Sequence, residues 1–174
     1  MQPLELNVAD RSSAYHFFAD AFRYPQKTED NEQQQLDYIA CFDCSVYKSA
    51  CSLHEAAYTT EGQEVLYEEL TRFYEFFGLG RDQSADLPDH LSVELEFMHF
   101  LSYLEVQEST DVKARESLFK AQQDFLTRHL LNLVANIVRD FDSDSAHYRE
   151  LLEDIQALMD YERAHFGLPV EDAA

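Results

Sequence analysis

Positive charge is what this sequence has least of: 13 Lys and Arg against 34 Asp and Glu leave a formal net charge of −21 over 174 residues. Nucleic acid and anionic membrane would be repelled, so neither is expected as a partner, whereas a cationic segment of another polypeptide would be attracted. Glycine and proline are also scarce, four of each. Few places are left to turn a sheet, and with Leu, Ala, Glu and Gln abundant the expected fold class is all-α. Three cysteines, an odd number in a chain long enough to bury its own core, fit a reducing compartment and not a disulfide framework. No run of 18 apolar residues occurs, so no stable membrane association is expected. Met1-Gln2-Pro3-Leu4-Glu5 lacks the basic and apolar regions of a secretory leader, which points to a cytoplasmic location.

The length suits one domain, residues 1–174, with 1–9 and 168–174 as flexible ends. Asp10 or Ser12 is placed to cap a first helix in which Ala14, Phe17, Phe18, Ala21 and Phe22 recur at helical steps, stopping at Tyr24-Pro25. Thr28 to Gln35 reads as a loop or a solvated first turn. Leu36, Ile39, Val46, Ala50, Leu53 and Ala57 then predict an unbroken helix from Leu36 to about Ala57, since no Gly or Pro interrupts it. A helix from Gln63 to Phe77 should end at Gly78 in a left-handed cap, and Arg81 to Asp86 should form a polar connection. The cleanest periodicity runs from Val112 to Phe141, and the last helix carries Tyr148, Leu151, Leu152, Ile155, Leu158 and Met159 on one side before Gly167 and Pro169.

Between these lies a central helix, expected from Pro88 to about Val106, with Asp86 or Asp89 as its cap. Leu91, Val93, Leu95, Phe97, Met98, Phe100, Leu101 and Leu104 cover most of its circumference, which places it at the middle of a compact helical bundle. His90 and Glu94 fall inside that apolar arc. Buried without partners they would cost several kcal/mol, so either they bond to each other and to nearby backbone or they receive a ligand. Ser92, Glu96, His99 and Tyr103 form the opposite, solvated stripe.

Candidate reactive constellations are weak. Cys41-x-x-Cys44 with Cys51-x-x-His54 has zinc-ligand residue types, but on one unbroken helix Cys41 and Cys51 stand roughly 15 Å apart, too far to share one ion unless the helix breaks. Glu96-x-x-His99 and Glu162-x-x-His165, completed by Glu69 and Glu116, formally match a carboxylate-bridged di-iron bundle. Yet Glu96 and His99 sit on the polar stripe, and His165 at a fraying helix end. Ser52 beside His54 lacks the strand-turn-helix setting of a nucleophile, and Gly78-x-Gly80 lacks the rest of a nucleotide fingerprint. The residues therefore point to no enzyme, and neither a metal nor another cofactor is expected.

The run Pro88-Asp89-His90-Leu91-Ser92-Val93-Glu94-Leu95-Glu96-Phe97-Met98 resembles the signature of the redox-enzyme maturation chaperones of the TorD/DmsD/NarJ type. Tyr74-x-x-Phe77 with glycine close behind and Ala121-Gln122-x-x-Phe125-Leu126-x-x-His129-Leu130 agree with it. Within that family the run is most similar to the chaperones of respiratory molybdoenzymes of the type II DMSO reductase group. The resemblance implies a cytosolic, non-catalytic chaperone, monomeric or domain-swapped. Its partner would be the apo catalytic subunit of a molybdenum oxidoreductase, often bound at a twin-arginine signal peptide and held until cofactor insertion is complete. It also implies that Pro88, Asp89 and His90 lie at the peptide-binding surface. Family members often carry tryptophans there, and this chain has none, leaving Tyr74, Phe77 and Leu79 for apolar contact.

The chemistry of such a peptide fits the residues. Two guanidinium groups followed by an apolar segment call for carboxylates beside an apolar groove. Asp86, Asp89 and Glu94 are the candidate carboxylates, although Asp89 as a mere cap and His90 with Glu94 as a satisfied core pair are equally open. A di-iron bundle and a generic acidic helical adaptor are the competing readings.

Overall fold

The computed structural model describes residues 5–26, 28, 31–80, 86–108 and 110–169. Among them the regular elements are helices, with no β-strand, so the chain is all-α. Helix α1 (Val8–Ala21) is capped by Asn7, not by Asp10 or Ser12. The Asp10 N–H donates to Asn7 Oδ1 at 2.9 Å and the Asn7 N–H to Asp10 Oδ2 at 3.1 Å, a reciprocal box that starts the helix earlier than expected. Residues 8 and 9, assigned to a flexible end, are therefore helical; residues 1–4 and 170–174 lie outside the described residues, as do 81–85 of the polar connection.

The buried face of α1 is also rotated. Tyr15, Phe18, Ala19 and Phe22 are buried, whereas Phe17 is 57% exposed. Ser12 and Arg11 complete the inner face, and Arg11 is fully buried. Its Nε and Nη2 donate to the Glu162 carboxylate at 2.6 and 2.7 Å, and Nη2 also reaches Gln122 Oε1 at 2.9 Å. Tyr15 Oη donates to the same carboxylate at 3.0 Å. This polar knot ties α1 to the far end of the chain.

The long helix expected over 36–57 does not form. Helix α2 (Glu32–Phe42) stops because Asp43 turns its side chain onto the Ser45 N–H at 2.9 Å, offering the backbone an alternative to helix. The chain reverses, the Cys51 N–H donates to the Cys41 carbonyl at 2.9 Å, and an extended stretch leads to one 3₁₀ turn at Glu55–Ala57. Helix α3 (Gln63–Phe76) ends as expected: Gly78 has φ +76°, and the Leu79 N–H returns to the Tyr74 carbonyl at 3.0 Å.

Helix α4 (Leu91–Gln107) is the central element, packed along α1 and α5 with Leu91, Leu95, Phe97, Met98 and Leu101 in the core. It begins at Leu91, three residues later than Pro88. Helix α5 (Val112–Phe125) passes through a π-helical turn, Leu126–Leu130, into α6 (Leu131–Asp140), so the periodicity expected as one helix is continuous but locally widened. Helix α7 (Ala146–His165), capped by Ser145, closes the bundle with Leu152, Ile155, Leu158 and Met159 buried.

Candidate functional site

The turn Pro88-Asp89-His90 is held from below by the stretch that replaces the expected helix. The Glu55 N–H donates to the Asp89 carbonyl at 2.9 Å and the Leu91 N–H to the Leu53 carbonyl at 2.8 Å, which pairs His54 with His90 in an isolated antiparallel bridge. From α3, Tyr74 Oη donates to the Pro88 carbonyl at 2.7 Å. Two separate segments thus fix the turn.

The Asp89 and His90 side chains point inward. Asp89 is fully buried; one carboxylate oxygen accepts the Ala56 N–H at 3.0 Å and the other lies 3.0 Å from His54 Nδ1. Burial alone would raise its pKa, but these hydrogen bonds outweigh it and hold the carboxyl below its ordinary value. Asp89 therefore organises the turn and does not cap α4. That role falls to His90, whose Nδ1 accepts the Ser92 N–H at 3.2 Å and lies 2.8 Å from Ser92 Oγ. Burial, then the neighbouring His54, pushes the His90 imidazole down to about 4.

His90 and Glu94 do not form the expected pair. Glu94 is wholly buried and neither carboxylate oxygen receives a hydrogen bond from an N–H or O–H donor. Burial, followed by the nearby Glu55 and Asp89, raises its pKa well above the ordinary carboxyl value. A proton retained on Glu94 would be shared with the Glu55 carboxylate beside it. Glu55 in turn lies 3.1 Å from His129 Nδ1, and His129 Nε2 is 3.4 Å from Glu69, which pairs with Arg128 at the surface. The π-helical turn carries His129 into this chain of groups.

Above the turn, between α3, α4 and α1, lies a groove of about 570 Å³. Val93, Phe97, Phe100 and Leu79 form its apolar part, with Tyr74 and Pro88 beside them; Glu75, Asp86 and Glu96 supply carboxylates and His16 and His99 two imidazoles. Among the described residues no Lys or Arg lines it. Of the residues singled out from sequence, Tyr74, Leu79, Asp86 and Pro88 meet here, and Asp86 is exposed. Asp89, His90 and Glu94 lie beneath it in the interior. Phe77 instead faces a second groove of about 640 Å³ on the other side of α3, with Phe76, Arg72, Lys120 and Arg128.

Sequence reasoning missed Glu75, Glu96, His16 and His99. The signal was present on α4, where residues 93, 96, 97 and 100 share one stripe at helical spacing; of the stripe expected to be solvated, Glu96 is exposed but His99 and Ser92 are not. His99 Nδ1 in fact lies 2.9 Å from the Ser12 carbonyl, and Ser92 is buried.

The metal constellations do not assemble. Glu96 is paired with Arg23 and Glu162 with Arg11, while Glu116 is exposed on α5. The helix break does return Cys51 to Cys41, but Cys41 Sγ bonds Ser143 at 3.2 Å and His54 is turned to Asp89. Among the described residues no group of three or more His, Cys, Asp and Glu side chains is arranged to hold a metal ion, and no helix is long and apolar enough to cross a membrane.

Comparison with known proteins gives a consistent picture. The model of the family described as nitrate reductase delta subunit matches residues 9–139. The selenate reductase assembly chaperone protein of Thauera selenatis is 28% identical, over 96% of this chain and 95% of its own length. The chlorate reductase assembly chaperone protein of Ideonella dechloratans is similar to the same extent, 28% over 96% and 95%. The perchlorate reductase assembly chaperone protein of Dechloromonas aromatica (strain RCB) is 34% identical over 54% of the chain and 43% of its own length.

Proposed function

Because the chain belongs to the nitrate reductase delta subunit family, we propose that it is a cytoplasmic assembly chaperone for the catalytic subunit of a molybdenum oxidoreductase. On this reading it binds the apo subunit through a cationic, apolar segment such as a twin-arginine signal peptide, keeps it from export until its cofactor is in place, and catalyses no reaction itself. The matched relatives are named for the assembly of selenate, chlorate and perchlorate reductases, not for catalysis.

The observation that carries the proposal is the groove over the Pro88-Asp89-His90 turn. Its apolar part is formed by Val93, Phe97, Phe100 and Leu79, and its carboxylates, Glu75, Asp86 and Glu96, suit a segment in which arginines precede apolar residues. The overall negative charge would speed the encounter with such a segment. Asp89, His90 and Glu94 contribute by shaping the turn that forms one wall.

Two measurements test this. Affinity capture from the chain's own host should bring down a large oxidoreductase subunit. Titration with a peptide carrying Arg-Arg before an apolar stretch should show tighter binding than its Lys-Lys counterpart, because an ammonium cannot reproduce the guanidinium fork. A generic acidic adaptor would bind both peptides alike.

A further inference from the structure

Arg23, just beyond the end of α1, sits between two carboxylates. Its Nη1 donates to Asp20 Oδ1 at 2.8 Å and its Nη2 to Glu96 Oε1. Asp20 is one turn back on its own helix, whereas Glu96 belongs to α4 and lines the groove. The Arg23 and Glu96 side chains are 38% and 47% exposed, so the pair is screened by water and is readily exchanged. Glu75 and Asp86, the other two carboxylates of the groove, form no ion pair with any described residue. Of the three, Glu96 is the one that a described arginine already neutralises.

We propose that Arg23 is a resident competitor, a guanidinium holding the carboxylate that an arginine of the docking segment takes over. The proposal rests on the reading of the groove as a site for a cationic, apolar segment. Exchange of one guanidinium for another at Glu96 leaves the number of ion pairs nearly constant, so a segment with a single cation gains little there. A single arginine can instead pair with Glu75 or Asp86, which form no ion pair with any described residue, so the second arginine of an adjacent pair is the one that meets Arg23 at Glu96. Arg23 thus lowers what a second arginine adds to binding. An ammonium is a poor replacement, because Arg23 spans Asp20 and Glu96 with two nitrogens of one rigid fork.

The test is a double-mutant cycle on the full chain, read by titration with the Arg-Arg peptide and with a single-arginine version. Arg23→Gln should bind the Arg-Arg peptide more tightly, by about two- to five-fold, and the single-arginine peptide should gain less, widening the difference between them. In a Glu96→Gln background the same change should have no effect. Lys113→Gln removes an equal charge in the first turn of α5, outside the groove, and should leave both affinities as they are. An Arg23→Gln protein that binds like the parent, a gain that persists without Glu96, or an equal gain from Lys113→Gln would each overturn the proposal. Absence of binding to every variant, the parent included, would instead remove the reading of the groove and the proposal with it.

Discussion

Arg11 and Glu162, 151 residues apart in sequence, form a bidentate ion pair in which both side chains are completely withdrawn from solvent. Tyr15 and Gln122 complete the hydrogen bonds around it, and Glu105 lies 3.4 Å from Arg11 Nη1. A buried charge left without its partner is far more costly than the pair is favourable.

Glu162→Ala is therefore expected to lower unfolding free energy by ~3–5 kcal/mol, read as a fall in the urea midpoint. The double variant Arg11→Met, Glu162→Leu should recover most of the loss by burying apolar groups of similar size. A loss below ~1 kcal/mol in the single variant, within the range of exposed pairs, would show that water reaches Arg11.

Glu94 gives stability an unusual pH dependence. The unfolded chain releases this proton near 4.5, whereas burial and the adjacent Glu55 and Asp89 hold it on the folded protein to well above that value. Between the two the folded state binds more protons, so stability falls as pH rises, by at most about 1.4 kcal/mol per pH unit. Glu94→Gln keeps the neutral shape and should flatten this fall. Urea midpoints over a pH series would reveal it; an unchanged slope would mean that the folded protein carries Glu94 ionised.

His90 acts in the opposite direction. Its folded pKa is depressed to about 4 from 6.5 by burial and by His54, so the unfolded chain takes up the proton first. The stability it contributes is complete above pH 6.5 and is lost as pH falls towards 4, on the order of 3 kcal/mol in total. Because Glu94 works against it above 4.5, the limb should be clearest in the Glu94→Gln background. His90→Asn, which retains a capping acceptor, should abolish it.

The two grooves flanking α3 should separate by mutation. Leu79→Ser and Asp86→Asn alter the groove over the turn and are expected to weaken Arg-Arg peptide binding several-fold. Phe76→Ser changes the other groove, where Phe76 is 83% exposed, and should leave peptide affinity and stability nearly unchanged. Equal losses from all three would place the peptide across α3 and not on one side of it.

Much of this was legible from residue order. The Gly78 cap of α3, the apolar arc of α4 and the inner face of α7 are local consequences of helical periodicity and of glycine's access to positive φ. The failures have local causes too: the Asp43 turn, a polar side chain competing with helix in a stretch without Gly or Pro, and Arg11, a charge occupying a core position that periodicity reserves for apolar groups.

Side-chain chemistry along the chain determined the all-α class, the acidic charge and which helix faces are apolar, because each depends on residues within a turn or two of one another. Tertiary structure alone decided which acids are available. Asp89 and Glu94 are enclosed by the 53–56 stretch and by α4's neighbours, while Glu75 and Glu96 come to one groove from different helices. Burial of a carboxylate is set by what packs over it, and here the packing partners lie dozens of residues away in the chain.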